Sequence, residues 1–238
     1  VIDGNSTDES NEIIEKYKPW LSYSRIAPDR GQANAINLGF SICGNGLRGW
    51  INSDDFYLPG AFASLATVAN QHLRDNFFYG DGFYLVEDTG QLGFESAHYV
   101  STRYLQFGGL ILTHSAFWRS SIHVALCEEM KCNIDGELWF RLIPHCKLRY
   151  LSQPLGLFRV QNESKSTNNH FQNAWAHDDT LIWSIYGAPP KRRSFRRIEY
   201  RIVQKVFHVI RFLQSKYNAR KVLQFCNWPN HKRLHGDS

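Results

Sequence analysis

The stretch L-R-G-W-I-N-S-D-D-F-Y-L-P-G, Leu47 to Gly60, decides how this chain is read. A short apolar run, Trp50 and Ile51, stops at two adjacent carboxylates, Asp54 and Asp55, and a proline-led helix signal begins at Pro59. Acids at the carboxyl end of a buried strand stand where open α/β sheets bind their ligands. Side by side they repel unless a cation or hydrogen-bond donors offset the charge. Two readings are open on this stretch alone. The pair holds a divalent metal that carries a diphosphate, or it caps the helix that follows.

Working outward, strand-like and helix-like segments alternate, which is the pattern of an α/β sheet. Val1-Ile2 ends a strand at Asp3, Gly4 to Asp8 is a turn, and Glu9 to Tyr17 is a helix with Ile13, Ile14 and Tyr17 on one face. Trp20 to Tyr23 reads as a second strand and Asp29-Arg30-Gly31 as a turn. Ala33 to Cys43 is a helix with Ala33, Ile36, Phe40 and Cys43 at helical spacing. Leu47 to Asn52 is the next strand and Pro59 to Leu73 the next helix. Phe77 to Tyr79 and Phe83 to Val86 read as strands about a tight Gly80-Asp81-Gly82 turn. A further strand lies within Leu110 to Arg119. Asp135 to Ile143 is a helix with Leu138, Trp139 and Leu142 inward, followed by two short strands, Leu148 to Leu151 and Leu155 to Val160. Gln161 to Asn169 is a polar loop and His170 to Tyr186 a helix.

The 238 residues suffice for one sizeable core, and 43% hydrophobic residues exclude a disordered chain. No run of about 18 apolar residues is present to span a membrane. Five cysteines without a C-x-x-C pair argue against a disulfide framework or a zinc site and for a reducing, cytoplasmic compartment. The net charge of +5 is concentrated beyond Lys191, where Glu199 and Asp237 are the only acids. There Phe195, Ile198, Ile202, Val206, Val209 and Leu213 recur at helical spacing, with Arg196, Arg197, Arg201, Lys205 and Arg211 largely between them. The expected organisation is a domain over residues 1–187 and a basic helical extension over 188–238. The extension either packs on the body, burying Ile202 and Val206, or lies on an anionic membrane surface with both exposed. Nucleic acid is the weaker partner, because the tail aromatics fall at core spacing.

Five blocks in order resemble the inverting glycosyltransferases of family 2. They are V-I-D-G-N-S-T-D-E-S from Val1, P-D-R-G-Q-A-N-A-I-N-L-G-F from Pro28, G-W-I-N-S-D-D-F-Y-L-P-G-A from Gly49, F-Y-G-D-G from Phe78 and I-D-G-E-L-W-F-R-L from Ile134. The resemblance implies the GT-A fold, a Rossmann-like mixed sheet flanked by helices, and transfer of a sugar from a nucleotide-diphosphate donor to a hydroxyl with inversion. By the same resemblance Asp3, Asp29 and Asn37 line the nucleotide pocket. Asp54 and Asp55 match the D-x-D-type motif that holds Mn²⁺ or Mg²⁺ against the diphosphate. Asp81 is an acceptor-side candidate, Asp135 matches the catalytic base, and Arg159 and Lys165 are candidates for the phosphates. The residue-level alternatives are an N-cap for Asp135, with Glu137 as the fallback base, and a purely local hydrogen bond for Asn37.

Two departures bear on the pocket. The family's first β-α unit, which holds part of the nucleoside, is expected ahead of Val1, and Gln161 stands where many relatives have a histidine. The implied acceptor is a saccharide or a lipid-linked sugar, in polysaccharide or glycolipid synthesis at the inner face of the cell membrane. Two rival readings are a non-catalytic nucleotide-sugar or nucleic-acid binding module on the same fold, and a nucleotidyltransferase. The latter lacks its glycine-rich signature loop in these residues.

Overall fold

The computed structural model describes residues 1–107, 111–161, 169–189 and 195–225. Among the described residues eight strands and six α-helices follow one another as β1 (Ile2–Asp3), α1 (Ser10–Tyr17), β2 (Arg25–Ile26), α2 (Gln32–Ile42), β3 (Leu47–Arg48), β4 (Phe56–Tyr57), α3 (Ala61–Gln71), β5 (Phe77–Val86), β6 (Gln91–Glu95), β7 (Ala116–Arg119), α4 (Ile134–Leu142), β8 (Leu148–Val160), α5 (Gln172–Tyr186) and α6 (Phe195–Phe225).

Six strands form a mixed sheet in the order β3-β7-β5-β8-β4, and β6 pairs with the far half of β5. The central pairing, β5 with β8, is parallel and runs from Phe77↔Leu148 to Val86↔Val160. β5 is buried along most of its length and β8 at Leu151 and from Pro154 to Leu157, as a central parallel pair requires. β1 and β2 form a separate parallel pair, Asp3 opposite Ile26. The helices cover both faces. Ala61, Leu65 and Ala69 of α3 pack with Phe78, Phe117 and Leu155. On the other face Ala33 and Phe40 of α2, Leu138, Trp139 and Leu142 of α4, and Ile182 of α5 close over Phe77, Tyr79 and Trp118.

The structure corrects several local expectations. Gly80-Asp81-Gly82 is not a turn but the middle of β5, at a shift in its register against β8. A Cβ on Gly82 would lie 2.5 Å from His114 Nε2, and one on Gly80 3.1 Å from the Leu151 carbonyl. Both glycines therefore mark close approach and not chain reversal. The two closing strands are one 13-residue strand, β8, with Pro154 inside it. Trp20 to Tyr23 is not a strand: Lys18–Trp20 is a 3-10 turn with Pro19 in its first positions, and pairing begins only at Arg25. Of Ile13, Ile14 and Tyr17, only Ile14 is buried. Of the expected Leu47–Asn52 strand, only Leu47 and Arg48 join a ladder.

Helix α6 docks through a face other than its apolar stripe. Gln204 exchanges two 2.8 Å hydrogen bonds with the backbone of Tyr99. Glu199 accepts from Arg103 and Tyr104, Tyr200 stacks on Phe107, and Phe207 meets Tyr99 and Tyr150. Ile202 and Val206 are 57% and 54% exposed, and Phe195, Ile198 and Val209 are exposed with them. Leu213 and Arg211 belong to the part of α6 whose side chains lie outside the described residues.

Candidate active site

A cleft of about 1010 Å³ opens between the β1 edge with α2 on one side and the carboxyl end of the six-stranded sheet on the other. Val1, Ile2 and Gln32 line the first wall, while Asn52, Asp54, Asp55, Thr113 and Asp135 line the second. The loop after β3 brings the acid pair here because a tight turn closes it, Asp55 N donating to Asn52 O at 3.1 Å. Asp55 is then fixed from two sides. Its Oδ1 accepts the Arg159 backbone N–H at 3.0 Å, and its Oδ2 lies 3.4 Å from Asn52 Nδ2. Asn52 in turn accepts from Gln32 Nε2 at 2.9 Å, so α2, the acid loop and β8 meet at this carboxylate. Burial, with the neighbouring Asp54 charge adding to it, pushes the Asp55 carboxyl up to about 6. The cap reading of the pair fails on geometry: α3 starts at Ala61, and its cap position is Gly60, whose φ of 79° suits glycine.

Asp135 is the second residue of α4, and the cap position belongs to Asn133. Its Oδ2 accepts a short hydrogen bond from the Thr113 hydroxyl, and its Oδ1 accepts the Gly136 N–H at 2.9 Å. Burial pushes its carboxyl up against those two donors. The loop before it is held from α5, where one carboxylate oxygen of the fully buried Asp178 accepts the N–H groups of Lys131, Cys132 and Asn133 at 2.9, 2.7 and 2.9 Å. Glu137, the fallback base, is buried and bound at both oxygens by Arg141, with Tyr186 OH at 3.3 Å. That leaves it a helix-anchoring group.

Asp3 and Asp29 come together at the carboxyl ends of β1 and β2. Asp3 accepts from Asn5 N, Ser6 N and Ser6 Oγ, and the Ser6 bonds hold its carboxyl low. Asp29 Oδ1 accepts from Gly31 N, and its Oδ2 lies 3.0 Å from where Gly4 would carry a Cβ. Neither lines the cleft. Asn37 and Asp81 are not brought to it either. The Asn37 amide donates to Leu126 O and accepts Leu126 N, tying α2 to that loop. Asp81 is fully buried, accepting from Ala97 N and from Tyr150 OH. The Arg159 guanidinium pairs with Glu87 at 3.0 Å. Lys165 lies outside the described residues, whereas Gln161 lines the cleft.

Gln32, Thr113, His114, Glu95 and Asp178 matter to the site and were not read from the sequence. Only Gln32 had a signal, its place in the G-Q-A-N block beside Asp29. Among the described residues no group of three or more His, Cys, Asp or Glu gathers. A cation held at the acid pair would have the oxygens of Asp54 and Asp55 as its protein donors. That suits Mg²⁺ or Mn²⁺, which are held by one or two carboxylates with substrate phosphates completing the shell. Burial first, and the Asp54 charge after it, raise the Asp55 carboxyl, and a bound cation would offset both, so the residues present fit such an ion.

Residues 1–111 match the model of the family described as Glycosyl transferase family 2. No curated protein matches the chain. Among solved structures, that of S. aureus TarS 1-349 in complex with UDP-GlcNAc resembles it with a TM-score of 0.60 over 89% of this chain, at 16% identity. This chain spans 62% of that one. At such identity the likeness carries the fold, and the mixed sheet flanked by helices is the GT-A fold expected from the five blocks. The family match covers the segment in which the first four of those blocks lie.

Proposed function

We propose that this chain is an inverting glycosyltransferase that moves a sugar from a nucleoside-diphosphate donor to a hydroxyl acceptor. The observation that carries the reading is that the Asp54–Asp55 pair and a supported Asp135 lie along one wall of the same cleft. Asp54 and Asp55 would hold a divalent cation, which when bound offsets the charge that grows on the departing diphosphate. Asp3 and Asp29, beside the β1 edge but outside the cleft lining, would reach only the nucleoside end of the donor, and Arg159 steadies Asp55 through its backbone N–H. Asp135 takes the proton of the acceptor hydroxyl as that oxygen attacks the anomeric carbon from the face opposite the diphosphate. One such displacement inverts the configuration. The Thr113 and Gly136 donors favour the ionised carboxylate that this step needs, against the pull of burial. UDP-GlcNAc in the structurally similar TarS makes uridine diphosphate sugars the first donors to test.

The test is a donor screen with Mn²⁺ or Mg²⁺, scoring nucleoside diphosphate release, with donor binding followed by calorimetry. Asp55→Ala should abolish metal-dependent donor binding. Binding that ignores both metal and Asp55 would sink the reading, and binding without turnover on any acceptor would favour the non-catalytic module.

The exposed stripe of α6 supports work at an anionic membrane surface, on a lipid-linked or polymeric saccharide at the cytoplasmic face. The stripe is apolar, Arg201 and Lys205 are exposed along one edge, and Glu199, the only acid of α6, is paired with Arg103. No helix among the described residues is long and apolar enough to cross a membrane, so attachment would be peripheral. Sedimentation with phosphatidylglycerol vesicles should pellet the protein, and Ile202→Glu with Val206→Glu should leave it in solution. Equal sedimentation of both proteins rules the membrane reading out.

A further inference from the structure

Three strands present two rows of residues on the cleft side of the sheet. Glu95 of β6 and Gly156 of β8 both stand opposite Gly82 of β5, while Gly93 and Phe158 both stand opposite Tyr84. Cross-strand partners share a face, and residues two apart on a strand share it too. In the first row the two glycines leave a trough that the His114 ring occupies. A Cβ on Gly156 would meet His114 Cδ2 at 2.6 Å, as one on Gly82 would meet Nε2. In the second row the Tyr84 ring lies over Gly93. Glu95, Tyr84, Phe158 and His114 all line the cleft, with Thr113 and Asp135 beside them.

Glu95 stands apart from Asp81, the other acid on the described strands of this sheet, which accepts from Ala97 N and Tyr150 OH. Its carboxylate is half-buried and has no hydrogen-bond donor or ion-pair partner among the described residues, and burial pushes its carboxyl up. A carboxylate in that setting lacks donors, and two neighbouring hydroxyls of a sugar ring supply one to each oxygen. The flanking aromatic faces suit the apolar C–H faces of the same ring. Buried His114 Nε2 is likewise without a partner. A phosphate-bearing acceptor would instead meet an uncompensated negative charge.

We propose that this floor is the acceptor subsite, that it takes a neutral sugar ring, and that Glu95 is its hydroxyl-binding residue with Tyr84 and Phe158 lining it. The inference rests on the glycosyl-transfer reading above and adds the class of acceptor.

The test uses the whole 238-residue chain, labelled and applied to an array of neutral mono- and disaccharides alongside sugar phosphates and polyol phosphates. The protein should bind neutral saccharides and leave the phosphorylated probes. Glu95→Gln, which keeps the shape, should weaken that binding about tenfold or more, as expected for a lost charged hydrogen-bond acceptor. Preference for the phosphorylated probes, an unchanged Glu95→Gln, or no saccharide bound overturns the proposal. Binding of uridine diphosphate with Mn²⁺ is measured on the same samples. If it is intact while Glu95→Gln changes nothing, only the acceptor subsite falls; if it is absent, the transfer reading falls with it.

Discussion

Asp178 on α5 is fully buried and Asp135 at the start of α4 half-buried on the cleft wall, and their carboxyls are displaced in opposite directions. Burial raises both. At Asp178 three backbone N–H groups on one oxygen, with His177 beside the other, outweigh it and the carboxyl is held low. At Asp135 one hydroxyl and one N–H do not outweigh it. The same split divides the molecule. Acids that brace the elements, such as Asp178 to the 131–133 loop or Glu137 to Arg141 within α4 and to Tyr186 of α5, are well supplied with donors. Those along the cleft, Asp55, Asp135 and Glu95, are left short of them. Seams hold the fold together, and the shortfall in the cleft leaves lone pairs for a ligand.

Removing a carboxylate from each region should therefore fail in different ways. Asp135→Asn should cost about 10²–10⁴-fold in transfer rate with donor binding kept, the range for a lost general base. Full transfer by this variant, measured as product formed at saturating donor, would take Asp135 out of the mechanism. Asp178→Ala should instead cost about 3 kcal/mol of stability in urea unfolding, since it strands buried N–H groups. If stability is kept while transfer alone collapses, the seam is part of the active site.

Gly82→Ala sharpens the contrast, because it adds one methyl where His114 Nε2 and the Gly156 carbonyl stand 2.5 and 3.0 Å away. An overpacking loss of about 1–3 kcal/mol is expected in the same melts. The last effect is that of pH on Asp55. Its folded carboxyl, raised to about 6, binds its proton more tightly than in the unfolded chain, where it titrates near the ordinary carboxylate value. This contribution is therefore full below that value and is lost as pH rises to about 6. Asp55→Asn should flatten that part of the stability profile, and a divalent cation should restore stability above pH 6 only in the parent protein.

Much of this was legible in the sequence. The five motif blocks led to the fold, to the acid pair and to Asp135, because strand-end acids and the helix pattern after Ile134 are local signals. Glu95, Thr113 and His114 were not legible, since each gains its place from cross-strand register and from glycines whose role is to leave room. Gly-Asp-Gly misled for the same reason: in isolation it is turn chemistry, and only pairing with β8 makes it mid-strand. Asn37 was read toward the nucleotide when its partner, Leu126, lies 89 residues away. The face by which α6 docks was hidden because Tyr200, Gln204 and Phe207 form no apolar stripe.

The pairing of β5 with β8 also bears on the order in which the molecule is built. It joins Phe77 to Leu148 across β6, β7 and α4, and the N–H that holds Asp55 comes from residue 159, 104 positions along the chain. Contacts of such separation close slowly, and on the ribosome they wait for β8 to emerge. Until then the acid pair lacks its backbone donor, and its own wall of the cleft lacks Phe158. A nascent chain ending at residue 111 holds the first four motif blocks without the completed cleft.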